Sequence, residues 1–303
     1  MAAYRGAPYI GAQLDSLVAQ TYPNWTVRVR DDCSDDGTYD TARRSALQHP
    51  ERIRVERRQA NSGSAARNFL ELLASSSEQY VMFADDDDVW LADKVAVTLT
   101  EMRRIERDAG PGVPVLVHTD LSVVDAALNV VDPSMARSQR LAVRETRLAR
   151  LLVQNSVTGC TVMVNRALAD LAGEPSDEIA MHDWWLALLA AAFGRIGYVP
   201  RPTVLYRQHG RNAVGAADAR SARYLVGRAL GGDETRARMR TASRQAAELL
   251  RRHGDTLTAE QRLVVAACAR LRERGKVAGI AGLVRHGLWK NTALRRLGQV
   301  WYV

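Results

Sequence analysis

The chain has 303 residues, of which 47% are hydrophobic, and its formal net charge is +8. This content of apolar residues excludes global disorder and is sufficient for one large α/β domain with an appended segment. The positive charge comes almost wholly from arginine and no RNA- or DNA-binding motif accompanies it, so we do not expect nucleic acid as a partner.

The cysteines and the apolar runs indicate the cellular compartment. Three cysteines without a CxxC pair argue against a disulfide framework or a zinc site, and they fit a reducing cytosol. The longest apolar run, from Trp184 to Phe193, is far shorter than a membrane-spanning helix. We therefore expect a cytoplasmic protein.

The first hundred residues alternate between helical and strand patterns of apolar residues. The order is a helix over 13–20, a strand over 25–30, a helix over 38–48, a strand over 53–56, a helix over 64–75 and a strand over 80–84. This alternation predicts a parallel sheet of the nucleotide-binding kind, in which ligands lie at the carboxyl ends of the strands. Two acidic clusters directly follow predicted strands.

The second half of the chain contains further strands and ends in helices. Strands are predicted over 113–118, 159–164 and 198–199, and helices over 148–153 and 183–193. No strand pattern is visible from Ala216 onward. Thr258 and Gln261 have the spacing of a capping box at the start of a helix, with Leu257 placed to pack against it. The tail is therefore predicted to be helical.

Four consecutive aspartates, at 85–88, follow the predicted strand over 80–84. Residues two apart in extended backbone point the same way, so Asp85 and Asp87 can hold one divalent cation. Such a cation would act as a Lewis acid on the diphosphate of a sugar nucleotide. A solvated acidic loop is the alternative, but four like charges repel one another unless a cation compensates them, which favours the metal.

The earlier acidic cluster, at 31–38, resembles the start of a calcium-binding loop. The twelfth position of that loop should be glutamate and is Arg43, and a strand rather than a helix leads into it, so we exclude calcium. Asp32, at the strand end, can accept hydrogen bonds from a nucleobase or a ribose. The alternative is that the cluster caps the next helix.

Asp183 precedes a predicted helix and is followed by Trp184 and Trp185. A carboxylate there can remove the proton of an attacking hydroxyl, beside aromatic rings on which a sugar can stack. The alternatives are an N-cap for Asp183 and core packing for the tryptophans. His209, in the segment YRQHG, can ligate the metal or contact phosphate, or it belongs to an ordinary loop.

These motifs together resemble the family-2 inverting glycosyltransferases with the GT-A fold, and most of all their bacterial rhamnosyltransferase-like branch. The segments that carry the resemblance occur in family order between residues 2 and 214, and they are AAYRGAPYIGAQLDSLVAQTYPNW, RDDCSDDGT, NSGSAARNF, YVMFADDDDVWLADK, HTDLSVVD, NSVTGCTVMVNRAL, MHDWWLALLAAAFG and YRQHGRN. The resemblance implies an α/β fold with a mixed, mostly parallel central sheet and a C-terminal helical appendage.

The resemblance also implies a role for each candidate residue. The donor-binding residues are Tyr4, Asp32, Arg67, Asn68 and Asp85, the metal ligands are Asp85, Asp87 and His209, the catalytic base is Asp183, and the acceptor-binding residues are Trp184 and Trp185. Residues 1–100 would form the nucleotide-sugar-binding half, 101–214 the acceptor-binding and catalytic half, and 215–303 a helical C-terminal extension. Relatives usually have a small or amide residue where this chain has Asp86, which leaves open which carboxylate binds the metal.

The implied activity is transfer of a sugar from a dTDP- or UDP-sugar to a hydroxyl of a cell-surface glycan or a lipid-linked saccharide. The resemblance alone suggests rhamnose, and Mg²⁺ or Mn²⁺ is the expected cofactor. A nucleotidyltransferase is disfavoured because no Gly-rich phosphate loop with a lysine lies near the N-terminus. A catalytically silent sugar-nucleotide-binding or scaffold protein is the other alternative, and the joint presence of Asp85, Asp87 and Asp183 argues against it.

The tail mixes basic and apolar side chains, which suits an anionic membrane surface. The basic set is Arg270, Arg272, Arg274, Lys276, Arg285, Lys290, Arg295 and Arg296, and the apolar set is Ile280, Leu283, Leu288, Trp289 and Trp301. We therefore predict a peripheral contact of the C-terminal helices with the inner face of the plasma membrane. A solvated helical cap on the catalytic part is the alternative.

Relatives open with an apolar strand that leads into the segment matched here by residues 2–6, and Met1 stands where that strand should be ending. The resemblance makes it a central strand between those over 25–30 and 80–84. A central gap would leave buried backbone groups of both neighbours unpaired. We therefore interpret the first strand as truncated, with the alternative that another segment fills its place.

Overall fold

A computed structural model describes residues 1–209, 232–271 and 275–303 of the chain. The first part forms a parallel sheet in the order β1-β2-β3, with helices between the strands. Its elements are β1 (Ala2–Ala3), α1 (Ile10–Val18), β2 (Val27–Asp31), α2 (Thr38–Gln48), β3 (Ile53–Arg57) and α3 (Ala65–Ala74). The predicted alternation of helices and strands is confirmed here.

The remaining strands form a second, mixed sheet in the order β4-β8-β6-β9-β5, with β7 paired to β6. They are β4 (Tyr80–Met82), β5 (Val89–Trp90), β6 (Val115–Val124), β7 (Val130–Asp132), β8 (Val162–Asn165) and β9 (Arg195–Arg207). In this sheet β6 and β9 run parallel, whereas the other pairs are antiparallel. The expected mixed sheet is present, but the mostly parallel pairing holds for the first sheet alone.

Helices surround the second sheet and make up the described C-terminal part. They are α4 (Lys94–Ala109), α5 (Met135–Ser138), α6 (Leu148–Val153), α7 (Arg166–Ala172), α8 (His182–Phe193), α9 (Gly232–His253), α10 (Ala259–Ala269), α11 (Gly275–His286) and α12 (Ala293–Tyr302). Thr258 and Gln261 form the predicted capping box at the start of α10. Among the described residues, no helix is both long and apolar enough to cross a membrane.

Strand β9 is much longer than the short strand predicted over 198–199. That prediction ended at Pro200, because proline cannot donate a hydrogen bond to a sheet. The pairing with β6 shifts at this point, so that Val199 lies opposite Thr119 and Pro202 opposite Asp120. The extra residues form a bulge that accommodates the proline, and the strand continues to Arg207, next to the acidic turn.

The N-terminal residues pair with β2. Ala2 lies opposite Arg30 and Ala3 opposite Asp31, in parallel register. The amide N–H of Asp32 donates to the carbonyl oxygen of Ala3, at 2.8 Å. Tyr4 and the residues that follow are thereby held at the carboxyl end of β2.

The C-terminal helices share a hydrophobic core with the catalytic part. Residues of α9, α10 and α11 pack in one cluster with α6 and α8. Leu283 and Leu288 belong to this core and are fully buried, which corrects their assignment to an exposed apolar surface, whereas Trp301 is 71% exposed. Arg272, Arg274 and residues 210–214 lie outside the described residues. The division of the chain into parts that end at residues 100 and 214 stays a prediction.

The close approach at the start of β9 gives a test of the fold. The amide N–H of Arg195 donates to the carbonyl oxygen of Pro114 at 2.9 Å, and a Cβ on Gly194 would lie 1.8 Å from that oxygen. Because the contact is with backbone, we expect Gly194→Ala to lower the free energy of unfolding by about 1–3 kcal/mol in a urea titration. Gly282→Ala in α11 is the control, since its Cβ would meet the nearest atom, Leu271 Cδ2, at 3.9 Å. Equal unfolding midpoints would contradict this packing.

Candidate active site

A cavity of about 1060 Å³ lies between the carboxyl ends of β1 and β2, the turn after β4 and the C-terminal helices. The candidate residues that line it are Tyr4, Asp32, Asn68, Asp85, Asp87, Asp183, Trp184 and His209. Residues from distant parts of the sequence therefore share one cavity, with the acidic turn and Asp183 both in its wall.

The aspartate side chains of the acidic turn have different partners. Asp86 Oδ2 accepts a hydrogen bond from the amide N–H of Tyr4 at 2.8 Å, and a Cβ on Gly6 would lie 2.4 Å from the same oxygen. Asp88 is fully buried, and its Oδ1 accepts from the amide N–H of Arg207 at 3.2 Å. Asp87 Oδ2 instead lies 2.9 Å from His209 Nε2. Asp88 thus contacts the end of β9 and Asp87 the histidine that follows it.

Burial of this negative charge changes how the carboxyl groups titrate. Desolvation, followed by repulsion from the Asp87 and Asp183 carboxylates, raises the pKa of Asp85 to about 7. Desolvation, followed by repulsion from Asp87, raises the pKa of Asp86 to about 8. A divalent cation at this position would remove the repulsion and favour the ionised carboxylates.

The donor atoms at the cavity wall suit a hard divalent cation. Asp85 and Asp87 offer carboxylate oxygens and His209 an imidazole nitrogen, a set compatible with Mg²⁺ or Mn²⁺. A second group, formed by Asp85, Asp88 and Cys160, has its donor atoms within 4.8 Å of one another. Among the described residues this group meets that distance, whereas Asp85, Asp87 and His209 do not. Mg²⁺ and Mn²⁺ prefer oxygen donors to the sulfur of a cysteine, so the first set matches these cations by donor type and not by distance.

An aromatic side chain supports the histidine. The rings of Tyr9 and His209 stack, with 4.6 Å between their centroids, and the Arg207 guanidinium lies 4.8 Å from the centre of the Tyr9 ring. Tyr9 lies within the first motif segment but was not among the predicted site residues. Tyr9 links the start of α1 to the end of β9 and so positions His209 beside Asp87.

The candidate donor residues differ in their surroundings. The Tyr4 ring is 47% exposed at the cavity. Asp32 is buried and accepts two hydrogen bonds from Ser62, from N–H at 2.8 Å and from Oγ at 2.7 Å, so it also holds the loop before α3. Asn68 is buried in the cavity wall, and its Oδ1 has no hydrogen-bond partner among the described residues.

Arg67 does not share this location. Its Nη2 donates to Asp177 Oδ1 at 2.6 Å, and it is absent from the cavity lining. Because Arg67 and Asn68 are successive residues of α3, the helix turns their side chains in different directions. The structure therefore places Arg67 in an ion pair outside the cavity lining, and the donor contact expected of it stays a prediction.

Asp183 lies in the first turn of α8, at the cavity wall. The N-cap of α8 is Met181, so the interpretation of Asp183 as an N-cap does not hold. Its Oδ1 accepts hydrogen bonds from the Trp184 amide N–H at 2.6 Å and from Asn155 Nδ2 at 3.2 Å. Burial raises the pKa of Asp183 to about 7, while these hydrogen bonds oppose the increase. A carboxylate with this pKa is suited to general-base chemistry near neutral pH.

The two tryptophans have different environments. Trp184 lines the cavity, and its Nε1 donates to the carbonyl oxygen of Leu151 at 2.6 Å. Trp185 has no exposed surface, and its Nε1 donates to the carbonyl oxygen of Ala172 at 3.0 Å. Trp185 points into the core because successive residues of a helix face different directions. The structure therefore places Trp185 in the core and outside the cavity lining, and its acceptor-binding assignment stays a prediction.

Comparison with known proteins establishes the family. The model of glycosyl transferase family 2 matches residues 1–120. A Bacillus subtilis glycosyltransferase assigned to teichuronic acid biosynthesis is 30% identical over 200 residues, which are 64% of this chain and 72% of that protein. The chain belongs to glycosyl transferase family 2. A dTDP-rhamnosyl transferase of Shigella flexneri is 25% identical over 235 residues, 74% of this chain and 76% of that protein.

Solved structures agree with this membership at the level of the fold. S. aureus TarS in complex with UDP-GlcNAc superposes with a TM-score of 0.58 at 15% identity, over 99% of this chain and 88% of that one. The mannosyltransferase PcManGT of Pyrobaculum calidifontis, in complex with GDP-Man and Mn²⁺, gives a TM-score of 0.58 at 20% identity, over 97% and 75%. The chain thus has the GT-A fold, and this member of family 2 is a glycosyltransferase that acts on nucleotide-sugars.

The structure adds cavity residues that sequence reasoning did not single out. Asn155, within the segment NSVTGC, donates to the candidate base. His182 packs between the rings of Phe69 and Phe83, and burial lowers its pKa to about 3, so it stays neutral. The C-terminal helices and the segment before α12 add Arg238, Lys290, Leu294, Arg295 and Gly298 to the lining. Only the position of Asn155 in a motif segment could have drawn attention to it.

Removal of the Asn155 amide should change the pH dependence of the enzyme. The amide stabilises ionised Asp183, so its loss raises the pKa of Asp183 above about 7. The acid limb of kcat/KM should therefore move to higher pH in Asn155→Ala, measured at saturating metal. Asn129→Ala is the control and should keep the wild-type acid limb, because Asn129 is exposed, whereas Asn165 is buried. An acid limb at the wild-type position in Asn155→Ala would contradict the assignment.

Proposed function

We propose that this chain transfers a sugar from a dTDP- or UDP-sugar to a hydroxyl of a cell-surface glycan or a lipid-linked saccharide, with inversion at the anomeric carbon. The observation that carries the proposal is the presence of the Asp183 carboxylate and the acidic turn in the wall of one cavity. One bound pair of donor and acceptor could therefore reach both groups. Asp183 would act as the base for the acceptor, and the acidic turn would hold the cation that neutralises the donor diphosphate.

In the proposed reaction Asp183 accepts the proton of the acceptor hydroxyl. The acceptor oxygen forms a bond to the anomeric carbon while the bond from that carbon to the diphosphate oxygen breaks, and the nucleoside diphosphate leaves with the electron pair. Asn155 orients the Asp183 carboxylate through its hydrogen bond. The aromatic side of Trp184, held by the Leu151 carbonyl, would support the acceptor sugar.

Asp85, Asp87 and His209 would hold Mg²⁺ or Mn²⁺ in this proposal. The cation supplies Lewis-acid stabilisation of the negative charge on the leaving diphosphate. Asp32 and Tyr4 would contact the nucleoside. Tyr4 offers an exposed side chain, and Asp32 Oδ2, which accepts one hydrogen bond from Ser62, can accept another, whereas Oδ1 faces the Ser62 amide and the Arg58 guanidinium. Asn68 would donate to, or accept from, the same part of the donor.

The named relatives support the choice of donor. The Shigella flexneri relative is a dTDP-rhamnosyl transferase, so dTDP-rhamnose is the first donor to test. The proposed cytoplasmic location and the contact of the C-terminal helices with a membrane stay predictions. A catalytically silent sugar-nucleotide-binding protein is the alternative, and it would bind a donor without releasing the nucleotide.

Nucleotide release from a panel of sugar nucleotides tests both the donor and the metal. We expect release with a dTDP- or UDP-sugar in Mg²⁺ or Mn²⁺ and its loss in EDTA. Asp87→Ala should weaken metal-dependent donor binding by at least about tenfold, because a ligand carboxylate is removed. Asp108→Ala, which removes an exposed acid at the end of α4, is the control. Full activity in chelator would exclude the proposed metal site.

Asp183→Asn tests the base, since the amide keeps the size of the side chain but cannot take the proton. We expect turnover to fall by about 10²–10⁴-fold, with little change in the affinity for the donor. Thermal unfolding and donor titration establish that the variant is folded and binds. A folded Asp183→Asn protein that turns over as fast as wild type would show that another group accepts the proton.

A further inference from the structure

A second cavity, of about 230 Å³, adjoins the catalytic one. It lies between α6, the segment 287–292 and α12, and we call it the arginine cleft after Arg147, Arg150 and Arg296 in its wall. Gln154 and Ser156 line both cavities. The chain between them carries Asn155, whose Nδ2 donates to Asp183 at 3.2 Å, so one short segment connects the cleft to the candidate base.

The cleft carries an excess of positive charge. Its lining contains three arginines and one acid, Glu145, whose carboxylate pairs with Arg147 at 2.6 Å. Burial, followed by repulsion from Arg147 and Arg296, lowers the pKa of Arg150. Arg150 and Arg296 line the same cleft with like charge, and an anion bound in the cleft would offset their repulsion.

The guanidinium groups of these two arginines are fixed by backbone carbonyls. Arg150 Nη1 donates to the carbonyl oxygen of Trp289 at 2.7 Å, and Arg296 Nε donates to that of Lys290 at 2.8 Å. A guanidinium has five N–H donors, so each keeps further donors for a ligand. Such an arrangement of oriented arginines matches the oxygen atoms of a phosphate group.

Ser156 supplies an observation that is independent of the arginines. Its side chain is buried, with 5% exposed, and its Oγ has no hydrogen-bond partner among the described residues. A buried hydroxyl without a partner is unfavourable, and in native structures such a group usually meets a ligand or a water molecule. Because Ser156 lines both cavities, a group bound by its hydroxyl would lie between the cleft and the catalytic cavity.

We propose that the arginine cleft binds a phosphate or diphosphate group of the acceptor, so that the acceptor is a saccharide that carries such a group. The donor diphosphate belongs at the acidic turn, where the candidate metal ligands lie, and the cleft is formed by other elements. An acceptor held by its phosphate in the cleft would extend along Gln154–Ser156 toward Asp183. The proposal rests on the glycosyltransferase function with Asp183 as base.

Binding of inorganic pyrophosphate to the full chain, measured by calorimetry in EDTA, tests the site itself. The chelator removes the cation, so the acidic turn repels the probe, and the arginine variants show how much of the remaining binding comes from the cleft. We expect at least about tenfold weaker binding in Arg150→Met, Arg296→Met and the double variant, because charge-assisted hydrogen bonds are lost. Arg285→Met, on an exposed part of α11, should bind as wild type. Equal affinity in all variants would overturn the site.

Ser156→Ala keeps the test decisive if the arginine variants fail to fold. Its Oγ has no partner among the described residues, so we expect an unfolding temperature equal to or above that of wild type. Pyrophosphate binding should nevertheless weaken by about tenfold, because a hydrogen bond to a charged group is lost. Unchanged pyrophosphate binding in folded Ser156→Ala would exclude the hydroxyl from the site.

Kinetics with matched acceptors identify the source of the anion. Saccharides with and without an anomeric phosphate or diphosphate are compared, and the phosphorylated one should have the lower KM in wild type and lose that advantage in Arg150→Met. Pyrophosphate binding without a preference for phosphorylated acceptors would overturn the acceptor assignment in favour of a free anion. A preference for carboxylated saccharides would overturn it as well. Donor binding without acceptor should be equal in wild type and variants, and the absence of nucleotide release by wild type with every acceptor tested would instead refute the proposed function.

Discussion

The fold of the catalytic cavity depends on negative charge that is buried at the end of β4. Asp85–Asp88 follow the half-buried strand β4, and desolvation raises the pKa values of Asp85 and Asp86 to about 7 and 8. Buried carboxylates are stable only with hydrogen bonds or opposite charge around them. The surrounding elements supply these: the Tyr4 amide contacts Asp86, the Arg207 amide contacts Asp88, and His209 contacts Asp87.

A buried cation lies beneath the acidic turn. Lys94 is fully buried, with its Nζ 4.6 Å from the centre of the Trp90 ring and 3.4 Å from Thr203 Oγ1. Burial lowers the pKa of Lys94 to about 8, while the charge of Asp88 acts in the opposite direction. Lys94 thus compensates the turn from the protein side, and the proposed divalent cation would do so from the cavity side. Strand β9 also contributes to this region. Its bulge at Pro200 lets the strand continue to Arg207, whose amide contacts Asp88.

The C-terminal helices complete the other side of the cavity. They share a hydrophobic core with α6 and α8, so the position of Asp183 and that of the arginine cleft depend on the same packing. The proposed division of labour follows from charge: the end of the cavity at β4 is acidic and suits a cation and the donor diphosphate. The end at α6 and α12 is basic and suits an anionic acceptor.

The sequence alone determined the alternation of elements in the first hundred residues, the position of the acidic turn at a strand end, the helix that contains Asp183 and the family, because these depend on local periodicity and on short motifs. Tertiary structure decided which of two successive residues points into the cavity. Asn68 and Trp184 line the cavity, whereas Arg67 forms an ion pair with Asp177 and Trp185 lies in the core. The continuation of β9 past Pro200 and the presence of Arg150 and Arg296 in one cleft also needed the structure, since both depend on contacts between residues far apart in the chain.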